Sequence, residues 1–330
     1  MKIAVLGCGA IGGFFLGSLT KAGFDVLGVV RSYQKEKLDS QGLILETRTE
    51  SELVKVKTVE RLESPVDLAI FATKINDLKQ TINDNYKYLQ QAMVFSTQNG
   101  IRADYILRDF FAEDKIITGI VMFGSTFYPP NKVVFNFPGD VALGNIFDKI
   151  DNVNKVAEVL SKCFGVVNIG NIKGAKYLKI FVNLNNCIPA ILGVCMQEAF
   201  KDLDVSRIAI NINREAFSVV RESGIILEDL PAYPVERLVG LVSMEPTQAA
   251  GLFSQIMTSL SKEPLYGSIL QSIQRNKPSE IDYINGEIVS LARDMGQEAR
   301  LNQKIVDLVH KVENNKQFIP KKEFITLMSS

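Results

Sequence analysis

Three polar side chains recur at helical spacing in an otherwise apolar stretch. Lys179, Asn183 and Asn186 stand at i, i+4 and i+7 of a predicted helix over Ala175–Cys195, so they share one helical face. An ammonium and two amides are unfavourable in apolar surroundings unless a ligand or a cleft supplies partners. A lysine there can donate a proton, and the amides can bind oxygen atoms. The alternative is a solvated face, which Lys176 would extend.

A glycine-rich turn near the start of the chain predicts a second kind of chemistry. The apolar run Lys2–Leu6 is typical of a buried strand and leads into the pattern G-x-G-x-x-G, with a helical stretch behind it. The first glycine permits a tight turn, the second lets a pyrophosphate approach the backbone, and the third allows close packing of helix on strand. The helix N-terminus favours the phosphates. The residues of this glycine loop are Gly7, Cys8, Gly9, Ala10, Ile11 and Gly12.

Arg31 follows the second predicted strand, Phe24–Val30, at the point where NAD-binding domains usually carry an acidic residue on the ribose. A guanidinium there suits a 2′-phosphate, so the sequence favours NADP(H) over NAD(H). Asp25 lies at the wrong end of the strand for the acidic role. The alternative for Arg31 is a solvated charge at a strand end.

Two more polar residues follow predicted strands. Lys74 comes after Val66–Ala72, and Asn99 comes after Met93–Thr97. Ligands of open parallel sheets bind beyond the carboxyl ends of strands, so both are expected beside the glycine loop. A solvated lysine and an Asn-Gly turn are the alternatives. Later, Ser279 and Asp282 have the spacing of a capping box, and Glu280 falls in the first turn of the helix that would follow.

Composition limits the function classes. The 330 residues are 46% hydrophobic and 22% charged, with 37 basic and 37 acidic side chains. This balance is typical of a globular protein and argues against nucleic acid or an anionic membrane as the main partner. The four cysteines form no C-x-x-C pair, which predicts a reduced, cytoplasmic protein without a metal site. Cys8 lies in the glycine loop, so thiol reagents are expected to block cofactor binding.

The chain has a single histidine, His310, which fits the surface of a C-terminal helix. Because no other histidine is present, a histidine proton donor is unfavourable, and lysine becomes the candidate acid. Strand patterns alternate with helices up to residue 172, including a run of antiparallel strands at the sheet edge between Phe123 and Leu143. From residue 173 helical periodicity dominates. We predict an α/β domain over 1–172 and an all-helical domain over 173–330.

The chain resembles the ketopantoate reductase (2-dehydropantoate 2-reductase) family over nearly its whole length. The resemblance lies in the glycine loop with Arg31, in A-x-K ending at Lys74, in Q-N-G at 98–100 and in P-G-D-V-A-L-G at 138–144. It extends to K-I-F-V-N-L-N-N from Lys179, to S-I-L-Q-S-I from Ser268, and to E-I-D-Y-I-N-G from Glu280. It implies a Rossmann-type NADP-binding domain, followed by a helical domain like that of 6-phosphogluconate dehydrogenase.

The resemblance also implies roles. Lys179 would be the general acid in the NADPH-dependent reduction of 2-dehydropantoate to (R)-pantoate, a step toward pantothenate and coenzyme A. Asn183 and Asn186 would bind substrate oxygens, and Ser268 the substrate carboxylate. Glu280 would hold the cofactor and Lys179. Lys74 and Asn99 would contact the cofactor, as would Ser125 through its backbone. Asn99 would also contact the substrate.

The sequence departs from the family where substrate binds. Tyr177 stands in place of a usual Trp, Cys187 in place of a second asparagine, and Gln197 in place of a later one. Three alternatives therefore stay open. The protein could reduce another branched 2-oxo acid, act as a β-hydroxyacid dehydrogenase, or bind NADP without catalysis. The small-molecule oxo acid is the expected partner, and a homodimer is left open.

Overall fold

The structure, a computed structural model, describes residues 1–47 and 49–329. The chain forms two compact units: Met1–Ala175, and a second that begins at Lys176. The first unit is α/β, and all of the regular elements described in the second are helices. The predicted fold class, a Rossmann-type unit followed by a helical unit, is confirmed. The structural division falls a few residues after the predicted boundary, and the roles of the two parts stay predictions.

Twelve strands are found in the described residues of the first unit. They are β1 (Lys2–Leu6), β2 (Asp25–Val29), β3 (Leu43–Glu46), β4 (Ser51–Val54), β5 (Lys57–Val59), β6 (Leu68–Phe71), β7 (Met93–Ser96), β8 (Ile116–Val121), β9 (Gly124–Tyr128), β10 (Lys132–Phe137), β11 (Val141–Gly144) and β12 (Val166–Asn168). Its helices are α1 (Ala10–Lys21), α2 (Ser32–Gln41), α3 (Ile75–Leu89), α4 (Arg102–Arg108) and α5 (Val153–Leu160), and α6 (Ile172–Leu184) begins at its end.

The main sheet has eight strands in the order β12-β11-β8-β7-β6-β1-β2-β5. Neighbouring strands are parallel except β8 and β11. Ile3 to Leu6 and Leu68 to Phe71 are fully buried, as expected for parallel strands covered on both faces. In the sheet, β2 lies on one side of β1, and β6, which comes later in the chain, lies on the other side. This topological switch point places the carboxyl end of β1, where the glycine loop begins, at the usual ligand site of such sheets.

A second sheet, with the order β4-β3-β10-β9, packs against α1. The predicted run of antiparallel strands at the main-sheet edge is therefore wrong for β9 and β10, and of that run only β11 belongs to the main sheet. Gly13 and Gly17 of α1 make the packing close. A Cβ added to Gly13 would lie 2.8 Å from the Val133 side chain, and one added to Gly17 would lie 2.6 Å from Leu45. Larger residues there would push the second sheet away from α1.

Up to residue 329, the second unit has α-helices and one short 3₁₀ helix, Ile281–Tyr283. The α-helices after α6 are α7 (Cys187–Leu192), α8 (Met196–Phe200), α9 (Leu203–Glu222), α10 (Val235–Ser243), α11 (Pro246–Ser259), α12 (Ser268–Gln274), α13 (Asn285–Asp294), α14 (Arg300–Asn315) and α15 (Lys321–Ser329). Within the described ranges, no helix is both long and apolar enough to cross a membrane.

The predicted single helix over Ala175–Cys195 is wrong, because α6 ends at Leu184 and α7 starts at Cys187. Pro189 explains the break. Its ring would collide with the carbonyl of Asn185 if α6 continued, and it has no N–H to donate. Lys179 and Asn183 therefore share a helical face, as predicted, whereas Asn186 lies beyond α6 at the N-cap of α7.

Candidate active site

The glycine loop is held tightly at both of its ends. Gly7 has φ +93°, and a Cβ there would lie 2.6 Å from the Thr73 nitrogen; a Cβ on Gly12 would lie 2.1 Å from the Gly7 carbonyl oxygen. Either substitution would force backbone apart. The predicted reasons for these two glycines, a tight turn and close helix–strand packing, agree with this geometry.

The middle of the loop is open. A Cβ on Gly9 would meet no atom within 4 Å, and Gly9 is the N-cap of α1, without a side-chain cap. The Gly9 nitrogen donates to Gly7 O at 2.9 Å. The amides of Ala10, Ile11 and Gly12, in the first turn, cannot bond within the helix. Open space in front of these donors suits a pyrophosphate.

Cys8 does not behave as its place in the loop predicts. Its side chain is 3% exposed, and Sγ points to the carbonyl oxygens of Val5 and Val29 at 3.5 and 3.9 Å. Burial raises the pKa of the thiol to about 12. A thiol that is neither exposed nor ionised is a poor nucleophile, so the geometry argues against the predicted block by thiol reagents, which stays a prediction.

The ends of β1, β6 and β7 are joined by close contacts. Gln98, which is 6% exposed, donates through Nε2 to Thr73 O at 3.0 Å, and Thr97 donates to Phe71 O. Lys74 and Asn99 are the next residues of these two segments, so they lie on neighbouring strand ends near the glycine loop. Gln98 was missed as a supporting residue. Its place at a strand end, directly before Asn-Gly, was the available signal.

Arg31 lies at the N-cap of α2, directly beyond β2. Its side chain is 68% exposed, with a long ion pair of 3.6 Å to Asp77. Such an exposed pair contributes little, so the guanidinium can exchange Asp77 for a phosphate at small cost.

Two buried hydroxyl groups bear on whether a polar ligand fits this unit. Thr73 Oγ1 and Ser125 Oγ are buried, and neither has a hydrogen-bond partner among the described residues. Thr73 borders the glycine loop, and Ser125 lies on β9 of the sheet that packs on α1. Buried hydroxyls without partners are unfavourable, and with the open loop they are consistent with a polar ligand at the sheet's carboxyl edge.

In the second unit, Lys179 is a half-buried cation on an apolar helix. Its neighbours Leu178, Ile180 and Phe181 are at most 4% exposed. Burial lowers the pKa of the ammonium from 10.5 to about 8. A lysine with a pKa near neutrality is well matched to transfer a proton. Lys176, one turn earlier, is 2% exposed and is not on a solvated face, which contradicts the alternative in which Lys176 extends such a face.

Three of the predicted substrate residues are close together. Asn186 Nδ2 donates to Asn183 Oδ1 at 3.4 Å, and both side chains are half-buried. A Cβ on Gly267 would lie 3.2 Å from the Asn186 Cβ, and Gly267 is followed by Ser268, which is exposed at the start of α12. The start of α12, which carries Ser268, therefore packs beside Asn186 at the α6–α7 break.

Two positions that depart from the family pattern have structural roles. Cys187 is fully buried, and its thiol lies 3.1 Å from Leu184 O. The Gln197 amide donates to Ser261 O and Glu263 O and accepts from Leu265 N. Both side chains are thus engaged by the protein's own backbone, whereas Asn186 bonds only another predicted substrate residue, Asn183, among the bonds described above.

Glu280 precedes the 3₁₀ helix, in a segment that is fixed by α14. The Ser279 nitrogen donates to Glu313 Oε1 at 2.8 Å, and Asp282 contacts His310 at 2.9 Å. The predicted capping box between Ser279 and Asp282 is therefore wrong, because both residues have partners on α14. His310 is not a bare surface residue but a link between α14 and the segment that carries Glu280.

Comparisons with known proteins agree with this architecture. The family model described as ketopantoate reductase PanE/ApbA matches residues 3–147, and the model of its C-terminal part matches residues 171–313. A 2-dehydropantoate 2-reductase of Pyrococcus horikoshii is 30% identical over 307 residues, which cover 92% of this chain and 94% of that relative.

Solved structures show the same fold. The ternary structure of D-mandelate dehydrogenase with NADH and anilino(oxo)acetate has a TM-score of 0.83 and 25% identity, covering 96% of this chain and 99% of that chain. A ketopantoate reductase of the PanE/ApbA family from Ralstonia eutropha has a TM-score of 0.80 and 24% identity, covering 96% and 100%.

Proposed function

The chain belongs to the ketopantoate reductase family, and from this premise we propose that it reduces 2-dehydropantoate to (R)-pantoate with NADPH. Membership confirms the resemblance that the sequence motifs carry, and it makes the chain an oxidoreductase of the 2-dehydropantoate 2-reductase family. The observation that best supports the proposed reaction is the half-buried Lys179 ammonium, with a pKa of about 8, on the same helical face as Asn183.

In this proposal residues 1–172 hold the cofactor and residues 173–330 hold the substrate. The first-turn amides of α1 bind the pyrophosphate, and Arg31 binds the 2′-phosphate, since a guanidinium pairs well with phosphate oxygens. Lys74, Asn99 and Ser125 complete the cofactor side. When bound, the reduced nicotinamide supplies a hydride to C2 of the oxo acid.

Lys179 provides the proton in this mechanism. Hydride addition turns the C2 carbonyl oxygen into an alkoxide, and an ammonium within hydrogen-bond reach can protonate it as the charge develops. A pKa of about 8 keeps most of the lysine protonated at neutral pH while making it a stronger acid than an exposed lysine. We assign Glu280 the role of holding Lys179 and the cofactor.

The side chains at the α6–α7 break bind the substrate. Asn183 and Asn186 can donate to its hydroxyl and carbonyl oxygens, and the exposed Ser268 hydroxyl can donate to its carboxylate. Because Cys187 is fully buried and its thiol bonds the Leu184 carbonyl, we assign the second amide role to Asn186.

A different 2-oxo acid is the second candidate substrate. Similarity to a D-mandelate dehydrogenase with NADH, together with the changes at Tyr177, Cys187 and Gln197, favours testing aryl and other branched 2-oxo acids and both nicotinamide cofactors. In either case the reaction is reduction of a carbonyl beside a carboxylate.

The test is a panel of substrates, in which the turnover of each is monitored through the absorbance of the reduced nicotinamide. The purified protein is assayed with 2-dehydropantoate, phenylglyoxylate, 2-oxoisovalerate and 3-hydroxyisobutyrate, the last with oxidised cofactor, and each with both phosphorylated and unphosphorylated nicotinamides. We expect the highest kcat/KM for 2-dehydropantoate with NADPH. Higher kcat/KM for phenylglyoxylate would select the second candidate. Binding of NADPH without oxidation on any oxo acid would leave only the non-catalytic alternative.

A further inference from the structure

Gln34 is a buried polar side chain on a helix that is otherwise mostly polar and exposed. It lies in the first turn of α2, where Gln34 and Leu38 are the two buried residues. Only 6% of Gln34 is exposed. Its amide nitrogen donates to Cys8 O in the glycine loop at 2.7 Å. A buried amide that bonds a backbone carbonyl of another element fixes that carbonyl, since losing the donor would leave the oxygen unpaired.

The bonded carbonyl controls the orientation of the loop. Cys8 O belongs to the Cys8–Gly9 peptide, and a peptide is planar, so holding the oxygen also fixes the Gly9 N–H. That N–H donates to Gly7 O at 2.9 Å, and Gly9 O accepts from Gly13 N at 2.8 Å. Gly9 has no Cβ to restrict its rotation. The bond from Gln34 therefore supplies the restriction directly before the first-turn amides of α1.

Gln34 also bonds Arg31, the predicted partner of the 2′-phosphate. Its backbone nitrogen donates to Arg31 O at 2.9 Å, so one residue bonds Arg31 through its main chain and the glycine loop through its side chain. We infer that Gln34 is a positioning residue for dinucleotide binding, which orients the glycine loop and links it to the helix turn that carries Arg31. This inference rests on the proposed function.

The test measures cofactor affinity in a Gln34→Met variant, which keeps the side-chain length and removes the donor. We expect the dissociation constants of both NADPH and NADH, from nicotinamide fluorescence, to rise by about 5- to 10-fold, the range for one hydrogen bond. At saturating cofactor, kcat and the KM of the oxo acid should stay near the wild-type values. Gln80→Met is the matched control, because the Gln80 amide bonds the half-buried Asp84 on its own helix, and it should bind like wild type.

A second variant separates positioning from a merely structural role. In Gln34→Glu the carboxylate lacks a donor at alkaline pH, but a protonated carboxyl group can donate to Cys8 O. Lowering the pH should therefore restore affinity in this variant relative to wild type, while a role in packing alone predicts no such recovery. The same measurement applies if Gln34→Met does not fold.

The outcomes distinguish the inference from its premise. If wild type binds neither nicotinamide cofactor, the proposed function and the inference both fail. If wild type binds and Gln34→Met binds within two-fold of it, or Gln34→Glu shows the pH dependence of wild type, only the positioning role is overturned.

Discussion

Replacing Lys179 with methionine should destroy activity and stabilise the protein at the same time. Methionine has a similar length and is favourable on a helix, but it carries no charge to desolvate. Lys179 is half-buried on an apolar helix, and burial lowers its pKa from 10.5 to about 8. The charged form of Lys179 therefore has a higher free energy in the folded state than in the unfolded state.

The free-energy cost of this burial follows from the linkage between proton binding and folding. A pKa lowered from 10.5 to about 8 corresponds to about 3 kcal/mol at pH values below the folded pKa. Because the folded pKa is below the unfolded pKa, the unfolded state binds more protons between pH 8 and 10.5, and stability rises with pH there. We expect Lys179→Met to exceed wild type in unfolding free energy by about 1–3 kcal/mol at pH 7, since the new packing is imperfect. The difference should disappear toward pH 10.

Activity should change in the opposite direction. Loss of a general acid lowers kcat by about 10²–10⁴-fold. In wild type, kcat/KM for reduction should fall above about pH 8, because the acid form of Lys179 is lost there. Oxidation of the hydroxy acid needs the base form, so its kcat/KM should instead rise through that pH.

Urea unfolding and steady-state assays across this pH range test the reasoning together. Lys173→Met is the control, since Lys173 is an exposed lysine of the same helix, and both its stability and its activity should stay close to wild type. The reasoning is refuted if Lys179→Met keeps more than a tenth of wild-type kcat, or if it is less stable than wild type at pH 7.

Three further outcomes follow from the structure. Arg31→Ala should raise the dissociation constant of NADPH by about 10-fold or more and leave that of NADH nearly unchanged; equal losses would contradict the 2′-phosphate role. Burial lowers the pKa of His310, but its contacts with Asp282 and Glu313 outweigh this and raise it overall. Stabilisation by His310 is therefore complete below about pH 6.5 and fades as pH rises through the folded pKa, so urea unfolding of His310→Gln should show a larger deficit at pH 6 than at pH 9. Asn186→Ala should raise the KM of the oxo acid several-fold, whereas Cys187→Ala should lower unfolding free energy by about 1 kcal/mol and leave KM unchanged.

The parts of the fold that depend on short-range pattern could be predicted from the sequence. The glycine loop, β1, α1 and β2 form within some thirty residues, and the spacing of the loop glycines is itself a sequence pattern. Lys179 and Asn183 were placed correctly on one face because both lie within α6. The break before Asn186 was missed although Pro189 signals it, because the apolar pattern continues across the break.

Features that depend on distant partners were not predictable in this way. A strand pattern at β9 and β10 does not indicate which sheet they join, and β10 pairs with β3 instead of the main sheet. The capping-box spacing at Ser279 and Asp282 was real, but His310 and Glu313 on α14 provide better partners. Gln34 looks like any polar residue of a surface helix, and its bond to Cys8 is visible only in three dimensions.

The pairing of β3 with β10 has a consequence for biosynthesis. Ile44 faces Lys132, so the ribosome must add more than eighty residues after β3 before its partner exists. Until then one edge of β3 and the phenylalanine-rich side of α1 remain uncovered. Contacts this remote in sequence form slowly, and an exposed strand edge invites pairing with another chain. Nascent chains stalled between these two strands are therefore where we expect chaperone engagement or aggregation during synthesis.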